Sequence, residues 1–97
     1  KFFIKKELQI ILNLYARKVS SGDWKDYGLS INKKEITFDI YQRASEKPIY
    51  RISKNLNPKN KTEKYYVLDR NGNVIKKSEN LDGLINRIEW TKLKLVR

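Results

Sequence analysis

Between Arg43 and Lys64 the chain carries seven cations, Arg43, Lys47, Arg51, Lys54, Lys59, Lys61 and Lys64, and only two acids, Glu46 and Glu63. Tyr41, Tyr50, Tyr65 and Tyr66 lie among or beside them. Lysine and arginine neutralise phosphates, and tyrosine rings on a sheet surface stack on bases, so this stretch has the chemistry of a nucleic-acid contact. The candidate nucleic-acid-binding residues are Arg43, Arg51, Lys54, Lys59, Lys61 and Lys64. The plain alternative is a solvated charged face. Part of the lysine content also fits the codon supply of an AT-rich gene, but that supply raises glutamate too, and the acids have not kept pace.

Other chemistry finds little support. Histidine and cysteine are both absent, which removes the commonest general base, the commonest zinc ligand and any thiolate nucleophile or disulfide. There is no Gly-rich phosphate loop and no paired-carboxylate or metal-ligand spacing. Ser78 beside Lys76 and Lys77 is the one hint of a nucleophile and base, and Ser78 is better explained as leading into a helix. The expectation is a protein that is not an enzyme and holds no cofactor or metal. Trp24 and Tyr27 form a second conspicuous group: they are either plugs between a helix end and a sheet edge or anchors for a protein partner.

These residues need a scaffold, and 97 residues allow one small domain spanning residues 1–97. The net charge of +11 favours acidic or phosphate-rich partners. No apolar run is long enough to span a bilayer, and Phe2-Phe3-Ile4 is too short for a signal-peptide core, so a soluble, cytoplasmic protein without membrane attachment is expected. The chain has no methionine, which leaves open residues upstream of Lys1.

The central scaffold is read at Glu35 to Lys54. Ile36, Phe38 and Ile40 alternate with Thr37, Asp39 and Tyr41, and Tyr50 and Ile52 repeat the period after a turn at Ala44 to Pro48. Alternation puts Arg51 on the face away from Ile52, with Tyr41. Upstream, Leu8, Ile11, Leu12, Tyr15, Ala16 and Val19 make one face of a helix from Lys5 to Ser21, widened on one flank by Ile10 and Leu14 and closed by Gly22 at a left-handed position. Gly28 to Ile31 adds a short strand through a turn at Asn32 to Lys34. Downstream, Asn55 to Glu63 is a loop, and Tyr65 to Asp69 and Val74 to Lys77 are strands around Asn71-Gly72. Asn80 caps a last helix carrying Leu81, Leu84, Ile85 and Ile88, while Trp90 to Arg97 is either its continuation or an extended tail. The fold class is therefore α+β, an antiparallel meander of four or five strands with an N-terminal and a C-terminal helix packed on one face.

The chain resembles the domain of unknown function 2794 family of short alphaproteobacterial proteins. The resemblance runs through Glu7-Leu8, Ile11-Leu12 and Tyr15 in the first helix, then Gly22, Trp24 and Asp26-Tyr27. It continues at Phe38, Ile40, Arg43, Glu46, Pro48-Ile49-Tyr50-Arg51-Ile52 and Lys54, and more loosely to the last helix. This chain has Ile4 where the family has an acidic helix cap, and lysine at positions where the family uses arginine. Those departures blur the helix start and weaken bidentate phosphate recognition. The resemblance implies a fold and a bacterial source and brings no activity with it.

Two functions follow from the residues. One is a nucleic-acid-binding module, for RNA or a ribonucleoprotein, acting through the six cations above. The other is a protein-interaction or assembly subunit that meets an acidic protein partner, with Trp24 and Tyr27 as anchors. Clustering of the cations on one surface favours the first, and an exposed apolar patch near Trp24 favours the second.

Overall fold

The computed structural model describes residues 2–43 and 47–90. The turn expected at Ala44 to Pro48 lies partly, and the tail beyond Trp90 wholly, outside the described residues. In chain order the elements are α1 (Lys5–Ser20), β1 (Asp26–Ile31), β2 (Glu35–Tyr41), β3 (Tyr50–Asn55), β4 (Tyr65–Asp69), β5 (Val74–Ser78) and α2 (Leu81–Arg87). A single 3₁₀ turn, Lys61–Glu63, interrupts the loop before β4. The five strands form one antiparallel sheet in sequence order, so the fold is the α+β meander that the alternating runs predict.

Register sorts the side chains into two faces. Phe38 pairs with Leu29 on one side and Ile52 on the other, and Ile52 pairs with Val67, so these residues share the face that the helices cover. Ile36, Phe38, Ile40, Ile52 and Val67 are completely buried there, with Ile11 and Leu14 of α1 and Leu84 of α2 above them. Burying each such side chain contributes about 1.5–3 kcal/mol, which makes this layer the main source of stability.

The helix ends have local causes. Glu7, at the third position of α1, accepts a 2.7 Å hydrogen bond from the Ile4 N–H, so the helix starts cleanly although Ile4 has no capping oxygen. At the other end the Gly22 N–H bonds to the Val19 carbonyl and the Asp23 N–H to the Lys18 carbonyl, the paired pattern that requires a left-handed residue; Gly22 supplies it with φ +85°. Asn80 caps α2 by accepting a 2.8 Å bond from the Gly83 N–H.

The inward face of α1 is shifted to the Ile10 and Leu14 flank of the expected stripe. Its buried centre is Glu7, Ile11 and Leu14, while Leu12, Ala16 and Val19 are exposed. The inward side of the helix carries a buried carboxylate, Glu7, among the apolar contacts, and a hydrophobicity pattern counts that residue as solvent-facing. α2 likewise stops at Arg87, and Ile88 is already extended with φ −91° and ψ 132°.

Candidate nucleic-acid interface

The six candidate cations do not form one surface. β3 ends and β4 begins at the end of the sheet where β2 begins, and there the backbone N–H of Leu56 bonds to the Lys34 carbonyl at 2.8 Å. Lys59, Lys61 and Lys64 stand at this end around an open cleft of about 650 Å³ whose rim also includes Pro58, Asn60, Glu79 and Asn80. The 3₁₀ turn holds them: the Glu63 and Lys64 N–H groups bond back to Asn60 and Lys61, and the Asn55 N–H bonds to the Lys64 carbonyl at 2.8 Å. Lys64 lies 5.4 Å from the centre of the Tyr65 ring, a cation–π distance. Lys33 and Lys34, which sequence reasoning left out of the site, are exposed in the β1–β2 turn at the same end.

Arg43 and Arg51 belong elsewhere. Arg43 follows β2, at the opposite end of the strands. Arg51 lies mid-sheet, on the same face as Tyr41 as alternation requires, and near Lys47 and Arg70 around a smaller hollow. Its Nε stands 3.4 Å from an Asp39 Oδ1, an ion pair without hydrogen-bond geometry. Asp39 is buried beneath it and accepts a 3.0 Å bond from the Ser30 hydroxyl. Burial raises the Asp39 carboxyl above its ordinary range, and Ser30 and Arg51 offset that only in part.

Lys54 is on the helix side. Its Nζ donates to a Glu7 Oε1 at 2.9 Å, and Tyr65 donates its hydroxyl to the other Glu7 oxygen. Burial alone would raise the Glu7 carboxyl; Tyr65, Lys54 and the Ile4 N–H together outweigh it and hold the group below its ordinary value. Burial and the Glu7 carboxylate push the Tyr65 phenol well up. Lys54 is therefore a structural ion pair tying β3 to α1, and its charge is spent inside the fold. The signal was present in the alternation, which puts Lys54 in phase with Tyr50 and Ile52.

The opposite face of the sheet is polar and largely self-satisfied. Thr37 and Ser53 share a 3.0 Å hydrogen bond, and Tyr66 donates to Glu35. Burial and the Glu35 contact push the Tyr66 phenol up to about 12. Tyr50 and Tyr65 are buried and Tyr66 is tied to Glu35, which leaves Tyr41 as the candidate ring best placed to meet a base. Trp24 is fully buried, 5.5 Å from Trp90 and 6.4 Å from Tyr50 in ring centres. It is the plug of the two sequence readings, and its indole cannot reach a partner from the core. Tyr27 is half-exposed, stacked on Phe38 at 4.8 Å with 5° between the planes.

The sequence elements that carry this arrangement, from the Glu7 helix start through the Gly22 cap and the Phe38 hairpin to Leu84 in α2, fall within the 85 residues matched by one family, described as proteins of unknown function. The chain belongs to the DUF2794 family. The match covers residues 1–85, so the DUF2794 unit comprises the whole sheet, α1 and most of α2. No curated protein and no solved structure matches the chain. Among the described residues of this DUF2794 chain no cluster of acidic side chains fits a metal ion, and no helix is long and apolar enough to cross a membrane.

Proposed function

We propose that the protein is a non-enzymatic nucleic-acid-binding domain that grips phosphates with the sheet end bearing Lys33, Lys34, Lys59, Lys61 and Lys64. The observation that carries this reading is the grouping of Lys59, Lys61 and Lys64 around one open cleft, fixed by the 3₁₀ turn. Among the described residues Glu35, Glu63 and Glu79 are the acids at this end; Glu35 accepts from the Tyr66 hydroxyl, and Glu63 already lies 3.9 Å from Lys77. Lysines on flexible stems contact phosphates as point charges, so recognition of charge and shape is expected without strong sequence preference. Supporting roles for Arg43 and Arg51 fit a strand that continues over the polar sheet face past Tyr41.

The test is fluorescence anisotropy with a labelled single strand, a labelled duplex and an acidic peptide of matched charge. Binding to nucleic acid that is clearly tighter than to the peptide supports the reading; equal binding to the peptide overturns it. In that case the assembly-subunit reading, in which an acidic protein meets this basic end, takes its place, with Tyr27 rather than the buried Trp24 as the accessible aromatic.

A further inference from the structure

β1 is an edge strand, paired with β2 on one side only among the described residues. The Asn32 N–H bonds to the Glu35 carbonyl, and in an antiparallel ladder bonded pairs alternate, so Ser30 and Gly28 also turn their backbone groups to β2. Tyr27, Leu29 and Ile31 then direct theirs to the open edge. Tyr27 agrees: its N–H points away from β2 and is held at 2.8 Å by Oδ1 of the adjacent Asp26, an exposed contact that strand pairing would exchange for a ladder bond. The side chains of Tyr27, Leu29 and Ile31 lie on the helix face and remain 43%, 44% and 53% exposed. Across from them Tyr15 of α1 meets Tyr27 at 5.0 Å, and helical spacing places Leu8, Leu12 and Val19 on the same flank. Among the described residues the core thus runs out to this edge without a cover.

The two edges of the sheet are treated differently. β5 carries Lys76 and Lys77 and is broken by a register shift against Val67 and Leu68, both devices that discourage pairing. β1 has six residues, no register shift and a single charge, Asp26, at its first position. We propose that β1 pairs antiparallel with β1 of a second copy of this chain, joining two five-stranded sheets into one. A two-fold axis at Leu29 sets Leu29 opposite itself and Tyr27 opposite Ile31 of the other copy, with the Leu12 and Val19 flanks closing over them. In that register Asp26 comes opposite Asn32 and beside Lys33 of the other copy, an opposite-sign contact made twice. Tyr27, Leu29 and Ile31 with Leu8, Leu12, Tyr15 and Val19 form an apolar strip, which an identical strip complements, and the Lys33 at its end is met by Asp26 of the other copy.

Sedimentation of the purified chain without nucleic acid tests this across protein concentration, at low and high salt. A dimer is expected, and raising salt should strengthen it, because the contact is apolar and the two +11 copies repel. Leu29→Lys should weaken dimerisation at least tenfold while its circular dichroism stays that of the parent, and Ile75→Lys on the other edge should leave it intact. Because the chain has no cysteine, Leu29→Cys should give a disulfide-linked dimer under mild oxidation, whereas Ile75→Cys should not. A parent that stays monomeric at about 100 µM, where a micromolar dimer would be nearly full, overturns the proposal. So does a dimer broken by Ile75→Lys and not by Leu29→Lys.

Discussion

The Lys54 ammonium sits 2.9 Å from the Glu7 carboxylate, so the one lysine of the central hairpin that alternation turns inward meets the one acid of α1 that the helix turns inward. Each is largely desolvated, and each is tolerable there because the other is present. Lys54→Met alone should therefore cost up to about 3–5 kcal/mol by leaving the Glu7 charge without its counter-ion, while Glu7→Leu with Lys54→Met should recover most of that loss. Urea denaturation of the two variants and the parent measures both. Lys54→Met should also leave nucleic-acid affinity within about twofold once the fold is intact, since its charge does not reach the surface used for binding.

Acid should act on two carboxyls in opposite directions. Glu7 has a lowered pKa in the fold, so its stabilisation is complete above its ordinary value of 4.5 and is lost as pH falls through the lower folded value. Asp39 has a raised pKa, so its ionised form works against the fold at neutral pH, and that penalty fades as pH falls through the raised value. The urea midpoint of Asp39→Asn should accordingly be flatter than the parent's above Asp39's ordinary value of 3.8, and that of Glu7→Gln flatter below Glu7's ordinary value of 4.5. A parent-like profile in both variants would assign the acid transition to other groups.

Gly72 has φ +85° in the turn between β4 and β5, and a Cβ built on it would meet no atom within 4 Å. The cost of a side chain there is thus purely conformational. Asp69 organises the same turn, its carboxylate accepting the Asn71 and Asn73 N–H groups at 2.9 Å each. Gly72→Val should destabilise by about 1–2 kcal/mol, and Gly72→Asn by less, because asparagine tolerates the left-handed region. Thermal or urea melts of the pair would separate a conformational cost from a steric one, in which the two losses would be equal.

Phe38 is completely buried, stacked on Tyr27 and edge-on to Tyr15 at 5.8 Å. Phe38→Ala should cost about 3–5 kcal/mol. A loss below about 1 kcal/mol by chemical denaturation would contradict the register that places it there.

The fold was legible where side chains alternate strictly. Ile36, Phe38 and Ile40 against Tyr50 and Ile52 fix register and face, and Asn71-Gly72 and Gly22 mark the places that need positive φ. The site was less legible for a physical reason. Whether a lysine faces solvent or a buried acid depends on a partner far away in sequence, as with Lys54 and Glu7, which stand 47 positions apart. The same holds for α1: Leu12 and Val19 are as apolar as Ile11 and Leu14, and the buried Glu7, which accepts from Tyr65 58 positions away, shares the inward side with the second pair.

That division between inward and outward cations gives the sharpest test of function. Lys59, Lys61 and Lys64 share one cleft, whereas Arg43 and Arg51 lie away from it and Arg51 already faces Asp39. Each phosphate contact to a single strand contributes about −0.7 to the slope of log affinity against log salt. Replacing Lys59, Lys61 and Lys64 together by Gln should then shallow the slope by up to roughly two units. Arg51→Gln should change it by less than about 0.7, because its guanidinium is partly neutralised by Asp39 in the parent. Lys33→Gln with Lys34→Gln should act in the same direction as the triple variant, as those two lysines share its end of the sheet. Anisotropy titrations over a range of salt concentrations give all the slopes. An unchanged slope in the triple variant would remove the cleft from the binding surface, and a larger effect from Arg51→Gln would move that surface to the polar face of the sheet.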